Sequence, residues 1–305
     1  MAIDDEFRFL SADAARAGRL TGLPHRERLR TRDSAGRLVS ALAFDTSGTA
    51  ANPVDTVFLH GAGLNAHGWD PVILALDVPA LALDLPGHGH SEWRPDGNYS
   101  PAALAGSVLD VLHDRTMAPV HLVGHSLGGL IAALVAAAEP ERVSSLTLVD
   151  ITPDVVASED AAAVREFLGG PEGFASHEEI VLRALHAGIG TDRAALERGV
   201  ALNTRVRPDG RVVWAHHLAE LPAEAITATE PELLWAALTR VRAPILLLAA
   251  SDGFVRPPLL EAFQRRLPRA QTAILPGPHN LHEANPRGLA EALRRSRGLS
   301  PSPLP

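Results

Sequence analysis

Val120-His121-Leu122-Val123-Gly124-His125-Ser126-Leu127-Gly128-Gly129 sets one serine between glycines at the end of an apolar run. Leu130-Ile131-Ala132-Ala133-Leu134-Val135-Ala136-Ala137-Ala138 follows at once and has the composition of a buried helix. The stretch therefore reads as strand, tight turn, helix, with Ser126 on the turn. A serine hydroxyl in water is a poor nucleophile, and catalysis must expose it, shield its surroundings and set a base beside it. Gly-x-Ser-x-Gly accomplishes the first of these, because side chains at Gly124 and Gly128 would clash across the turn. The helix N-terminus below the serine adds free N–H groups and a positive dipole end, where an oxyanion can rest.

Composition narrows the classes that remain. The chain has 305 residues, 46% of them hydrophobic, enough for one large domain or one domain carrying an insertion. It has no cysteine, which excludes disulfides, thiol catalysis and cysteine-ligated zinc. It has no lysine either, which removes Schiff-base chemistry and a phosphate-loop lysine. A formal charge of −8 argues against nucleic acid or an anionic membrane as partner. Met1-Ala2-Ile3-Asp4-Asp5-Glu6 is acidic with no apolar stretch behind it, and no apolar run approaches the ~18 residues of a membrane span. The expectation is a cytoplasmic protein whose partner is a small molecule.

Around the serine, the apolar runs at 57–59, 81–83, 120–123, 143–149, 245–248 and 272–275 read as strands. A helix is expected over 101–113, opened by Ser100 as N-cap and Pro101 at its first position. Strands alternating with helices predict a parallel sheet covered on both faces. Residues 26–44 read as two strands around Asp33-Ser34-Ala35-Gly36, and residues 1–25 as a leader. Over 153–239 the pattern breaks into helical fragments at 161–167, 177–187, 193–202 and 232–238, with a hairpin around Pro208-Asp209-Gly210. This segment is expected to be a cap inserted between the sixth and seventh strands. The core is then 26–152 plus 240–298, with a tail at 299–305.

A tetrahedral intermediate needs two donors on its oxyanion. Leu127 N–H, just after the serine, supplies one, and Ala62 N–H in His60-Gly61-Ala62-Gly63 the other. Gly61 and His125 flank the same place. His88 and His90 in Asp84-Leu85-Pro86-Gly87-His88-Gly89-His90-Ser91 invite a metal reading, but no third ligand lies at a helpful spacing. The segment reads as a turn, and neither metal nor cofactor is expected. Fourteen histidines compete for the base. His279, in the loop after the last strand, is preferred to His282, which lies in the entering helix.

With these motifs in order, together with Leu148-Val149-Asp150-Ile151-Thr152-Pro153 and His279-Asn280-Leu281-His282-Glu283-Ala284-Asn285-Pro286, the chain resembles the α/β-hydrolase superfamily over residues 26–298. The resemblance implies an α/β-hydrolase fold: a mostly parallel eight-stranded sheet, helices on both faces and a helical cap after the sixth strand. It also implies a cofactor-free serine hydrolase. Similar epoxide hydrolases and haloalkane dehalogenases carry aspartate where this chain has Ser126, and Tyr99 is its only tyrosine. Similar haloperoxidases have methionine in place of Leu127. The expected substrate is a carboxylic ester, a lactone or a related small acyl compound. Amide or carbon–carbon cleavage by the same triad is the alternative, and a small-ligand receptor is the rival outside enzymes.

Two residues compete as the triad acid. Asp252 follows the seventh strand, where most similar hydrolases keep it, and Asp150 ends the sixth, where some lid-bearing ones do. The apolar flanks of Asp150 would bury a carboxylate against an imidazole, which favours it and leaves Asp252 as the alternative. Gly61, His125, Trp214, His217 and Phe254 are the expected substrate contacts, from a pool that includes Trp69, Trp93, Trp235 and His216. The pocket itself is expected to be aliphatic.

Overall fold

A computed structural model describes residues 6–19, 22–45, 53–157, 159–168, 173–186, 192–221 and 230–298. The expected tail at 299–305 lies outside them, as do the first five residues of the leader. Helix α1 (Leu10–Ala17) leads into the antiparallel pair β1 (His25–Arg32) and β2 (Leu38–Asp45). Then come β3 (Thr56–Leu59), α2 (Asp70–Leu76), β4 (Ala80–Asp84), α3 (Pro101–Arg115), β5 (Val120–His125), α4 (Leu127–Ala138) and β6 (Val143–Val149). Ser100 Oγ caps α3 by accepting from Ala103 N–H at 3.3 Å, as the Ser-Pro signal requires.

The cap follows with α5 (Glu159–Leu168), α6 (His177–His186), α7 (Arg193–Asn203) and the hairpin β7 (Thr204–Val206) with β8 (Val212–Trp214). The chain returns through α8 (Pro231–Arg240), β9 (Ile245–Asp252), α9 (Pro257–Arg266), β10 (Gln271–Pro278), α10 (Leu281–Ala284) and α11 (Pro286–Ser296). The eight-stranded sheet runs β1-β2-β4-β3-β5-β6-β9-β10, and only β2 runs against the direction of the other strands. Strands β3, β4 and β5 are buried at every position, because helices cover both faces. One apolar cluster fills each side of the sheet.

Two expectations about organisation need revision. The leader is integral: Phe7, Leu10, Ala14 and Ala17 pack into the core with Phe58 and Trp69. Helix α8 was expected within the cap, yet its Leu234, Trp235 and Leu238 join the core cluster that includes Leu130 and Ile131 of α4. Its apolar face complements the sheet layer, and a local helical pattern carries no sign of which layer it covers.

The cap has its own small core of Phe174, Ile180, Val181, Val200, Val212, Trp214 and Ala219. Arg198 on α7 is bolted to the body, with Nε and Nη2 donating to Asp13 Oδ2 at 2.9 and 2.6 Å and Nη2 to His67 O at 2.8 Å. Asn65 Nδ2 reaches Leu202 O at 2.7 Å, and His217 N–H reaches Gly87 O at 2.8 Å.

Candidate active site

Ser126 stands between β5 and α4 with φ 50° and ψ −121°, a strained conformation for any residue with a side chain. The turn closes so tightly that a Cβ on Gly124 would enter the Gly128 backbone, and one on Gly128 would strike Leu59 O. Both are glycine for that reason. Leu127 opens α4, so its N–H has no partner four residues back and stays available to a ligand.

Asp150 is the other strained strand end, also at φ 50°. Its carboxyl group is fully buried and turns beneath the 250–255 loop, where three N–H groups converge on it. Ala250 and Val255 donate to Oδ1 at 2.9 and 3.3 Å, and Phe254 donates to Oδ2 at 2.7 Å. Gly253 must be glycine here, because a side chain would collide with that carboxyl group. His279 Nδ1 meets the same Oδ2 at 2.7 Å. With both oxygens accepting, Nδ1 is the protonated nitrogen, and Nε2 keeps its lone pair.

His279 is pressed between rings. Phe254 stacks on one side with centroids 3.6 Å apart and planes 14° from parallel. His125 lies 4.5 Å away, and its Nε2 bonds His279 O at 3.1 Å. Burial, together with neighbouring His282 and His279, pushes the His125 imidazole well below its ordinary range, so it stays neutral.

The 60–63 loop, expected to carry an oxyanion donor, is braced by two histidines to which sequence reasoning gave no such part. His60 is buried, donating from Nδ1 to Gly61 O at 2.8 Å and accepting at Nε2 from Leu85 N–H at 2.9 Å. Burial lowers it to about 4 and keeps it neutral, as this pair of bonds demands. His88 accepts from Gly63 N–H at 3.1 Å and donates to Pro86 O at 3.1 Å. Each ties a loop residue to the turn after β4, 25 residues away in sequence.

Ser126 and His279 open into a cavity of about 260 Å³ that Gly61, Ala62, His125, Phe254 and Asn280 also line. The profile of the alpha/beta hydrolase family matches residues 56–292. The chain belongs to that family. Esterase Rv0045c of Mycobacterium tuberculosis is 35% identical to this hydrolase over 298 residues, 95% of each chain. A solved structure of that M. tuberculosis esterase aligns with TM-score 0.82 and 34% identity, covering 98% of the hydrolase and 100% of the other chain. A pimeloyl-[acyl-carrier protein] methyl ester esterase of Aeromonas salmonicida is 30% identical over 230 residues, 72% of the hydrolase and 81% of the relative.

Of the two candidate acids, the hydrolase brings Asp150 to the imidazole. Asp252 lies opposite Pro278 in the β9–β10 register, yet its exposed carboxyl group takes a hydrogen bond from Ser251 Oγ at 2.7 Å. His282 is buried behind the site, burial above all holding it near 3, and neither ring nitrogen has a hydrogen-bond partner. It does not reach Asp150.

Two expected substrate contacts lie elsewhere. Trp214 belongs to the cap core, where it stacks on His216. His217 Nδ1 pairs with Tyr99 OH at 2.8 Å while its ring stacks on Trp93. Trp214 is spent on the cap's own core and His217 on joining cap to body. The cavity wall missed by sequence reasoning is α5, which contributes Ala163, Val164, Phe167 and Leu168. Residues 161–167 were read only as a helical fragment of the cap, and apolar positions on such a fragment serve a pocket wall as well as a core.

Proposed function

We propose that the hydrolase is a serine esterase for small acyl substrates, with Ser126 as nucleophile, His279 as base and Asp150 as the acid that orients it. The observation that carries this reading is the 2.7 Å contact between His279 Nδ1 and Asp150 Oδ2, at a cavity that Ser126 also lines. Ser126 Oγ attacks the ester carbonyl while its proton passes to His279 Nε2. Leu127 and Ala62 N–H groups hold the resulting oxyanion. Collapse expels the alcohol, which takes the proton back from Nε2, and leaves an acyl-serine. Water then gives a proton to Nε2 and attacks the acyl carbon, and the acid departs as Ser126 recovers its proton. The esterase activity named for the two relatives supports an ester as the bond cleaved.

The aliphatic walls at Ala62, Leu64, Ala163, Val164 and Leu168 favour an apolar acyl or alcohol group. The segment from Pro153 to the start of α8 acts as the lid. Labelling with a fluorophosphonate, followed by a panel of aryl esters, lactones and anilides, tests the reading. Ser126-dependent labelling with esters turned over best is the expected result, and an unlabelled Ser126 overturns it.

A further inference from the structure

Phe254 was expected among the substrate contacts, and it does line the cavity. Its geometry gives it a second task. Its backbone N–H donates to Asp150 Oδ2 at 2.7 Å, the oxygen that also meets His279 Nδ1 at 2.7 Å. Its ring covers the imidazole face, with centroids 3.6 Å apart and planes 14° from parallel. One residue thus holds the acid by its main chain and the base by its side chain. We propose that Phe254 is a positioning residue of the triad, whose aromatic face fixes the His279 ring and stabilises the imidazolium formed when Ser126 gives up its proton.

The proposal rests on the serine-hydrolase reading above. During attack the proton moves from Ser126 Oγ to His279 Nε2, and the imidazole becomes a cation with both nitrogens protonated. An aromatic face at stacking distance attracts that cation more strongly than it attracts the neutral ring. Every other group around the imidazole is already placed. Asp150 holds Nδ1. His125, on the neighbouring strand end, is kept neutral by burial, and so is His282 on α10. Asp252, Arg256 and Asn280 line the shared cavity. Asp252 and Arg256 are both exposed to water, which screens them. The aromatic face is therefore in direct contact with the imidazolium, its centroid 3.6 Å away, beside the carboxylate of Asp150.

Phe254→Leu keeps the backbone bond to Asp150 and most of the volume while removing the π-face, whereas Phe254→Trp keeps an aromatic face. The test follows the rate of inactivation by a small fluorophosphonate against pH for wild type, both variants and Ser126→Ala. In Phe254→Leu the plateau rate is expected to fall roughly three- to thirty-fold. The acidic limb should move to lower pH by roughly half a unit to one unit. Phe254→Trp should restore the limb to its wild-type position. A Phe254→Leu profile that overlays wild type, or a change confined to KM for larger esters, would overturn the proposal. Failure of wild type to label at Ser126 would instead overturn the underlying reading, so the two failures are distinct.

Discussion

Replacing Asp150 by asparagine removes one acceptor from a group that needs two, and the structure says which is lost. Oδ1 serves Ala250 and Val255 N–H, while Oδ2 serves Phe254 N–H and His279 Nδ1. An amide whose nitrogen replaced Oδ1 would leave two buried N–H groups without acceptors, at about 1–3 kcal/mol each. One whose nitrogen replaced Oδ2 would strand only Phe254 N–H and would donate to Nδ1 instead. The second arrangement costs less, so it wins. It forces the proton onto Nε2, where the imidazole can no longer act as base. The expected loss in kcat is about 10⁴-fold. The stranded N–H should lower stability by about 1–3 kcal/mol, or very roughly 2–10 °C in Tm. Asp150→Asn is thus not a silent change to the fold, a point the sequence did not suggest. Asp252→Asn should stay within a few-fold of wild type, since its exposed carboxyl group engages Ser251 and not His279. Steady-state hydrolysis of a short aryl ester and thermal denaturation measure both effects. Retention of more than a tenth of kcat by Asp150→Asn, with a thousandfold loss in Asp252→Asn, would refute the reasoning.

Ser126→Ala should reduce kcat by about 10⁵- to 10⁶-fold with an unchanged circular dichroism spectrum; residual turnover of a few per cent would deny the serine its role. Stability should fall steeply below pH 6.5, because His60 at about 4 and His121, His216 and His282 at about 3 stay neutral in the folded state while the unfolded chain protonates them. Near pH 5.5 these four together cost roughly 6 kcal/mol. His67, raised to about 9 by Asp70 and Glu6 against its burial, works the other way, its contribution full below 6.5 and lost as pH rises through 9. Denaturant midpoints that stayed level from pH 7.5 to 5 would contradict this balance. Phe167→Ala on α5 should widen the range of esters accepted without slowing inactivation by a small phosphonate, and an equal loss of both would assign α5 to the core.

Much of this protein is written locally. The elbow at Ser126 follows from glycines whose absent side chains admit Leu59 O and the helix backbone, and such a clash is legible within a few residues. The strands at 57–59 and 81–83 declare themselves by unbroken apolar runs, since a sheet covered on both faces favours apolar positions throughout. Those at 120–123 and 143–149 remain legible although His121, Ser144, Ser145 and Thr147 interrupt them. His279 was picked out as the expected base from its place after the last strand, and the structure sets its Nδ1 2.7 Å from Asp150 Oδ2. Sequence left the acid open, because Asp150 and Asp252 both end strands beside the site. The proposal of Asp150 rests on the 250–255 loop, whose N–H groups fold over its carboxyl group beside His279 while the Asp252 side chain faces water. Trp214 and His217 were misplaced for a similar reason: an aromatic in a cap can face a pocket, the cap's own core or a seam, and only packing chooses. Placing Ala163, Val164, Phe167 and Leu168 over Ser126 joined segments about 40 residues apart, and no local periodicity records such a meeting. Local sterics are set by adjacent residues, whereas acid, pocket and seam depend on surfaces that exist only once the chain has closed on itself.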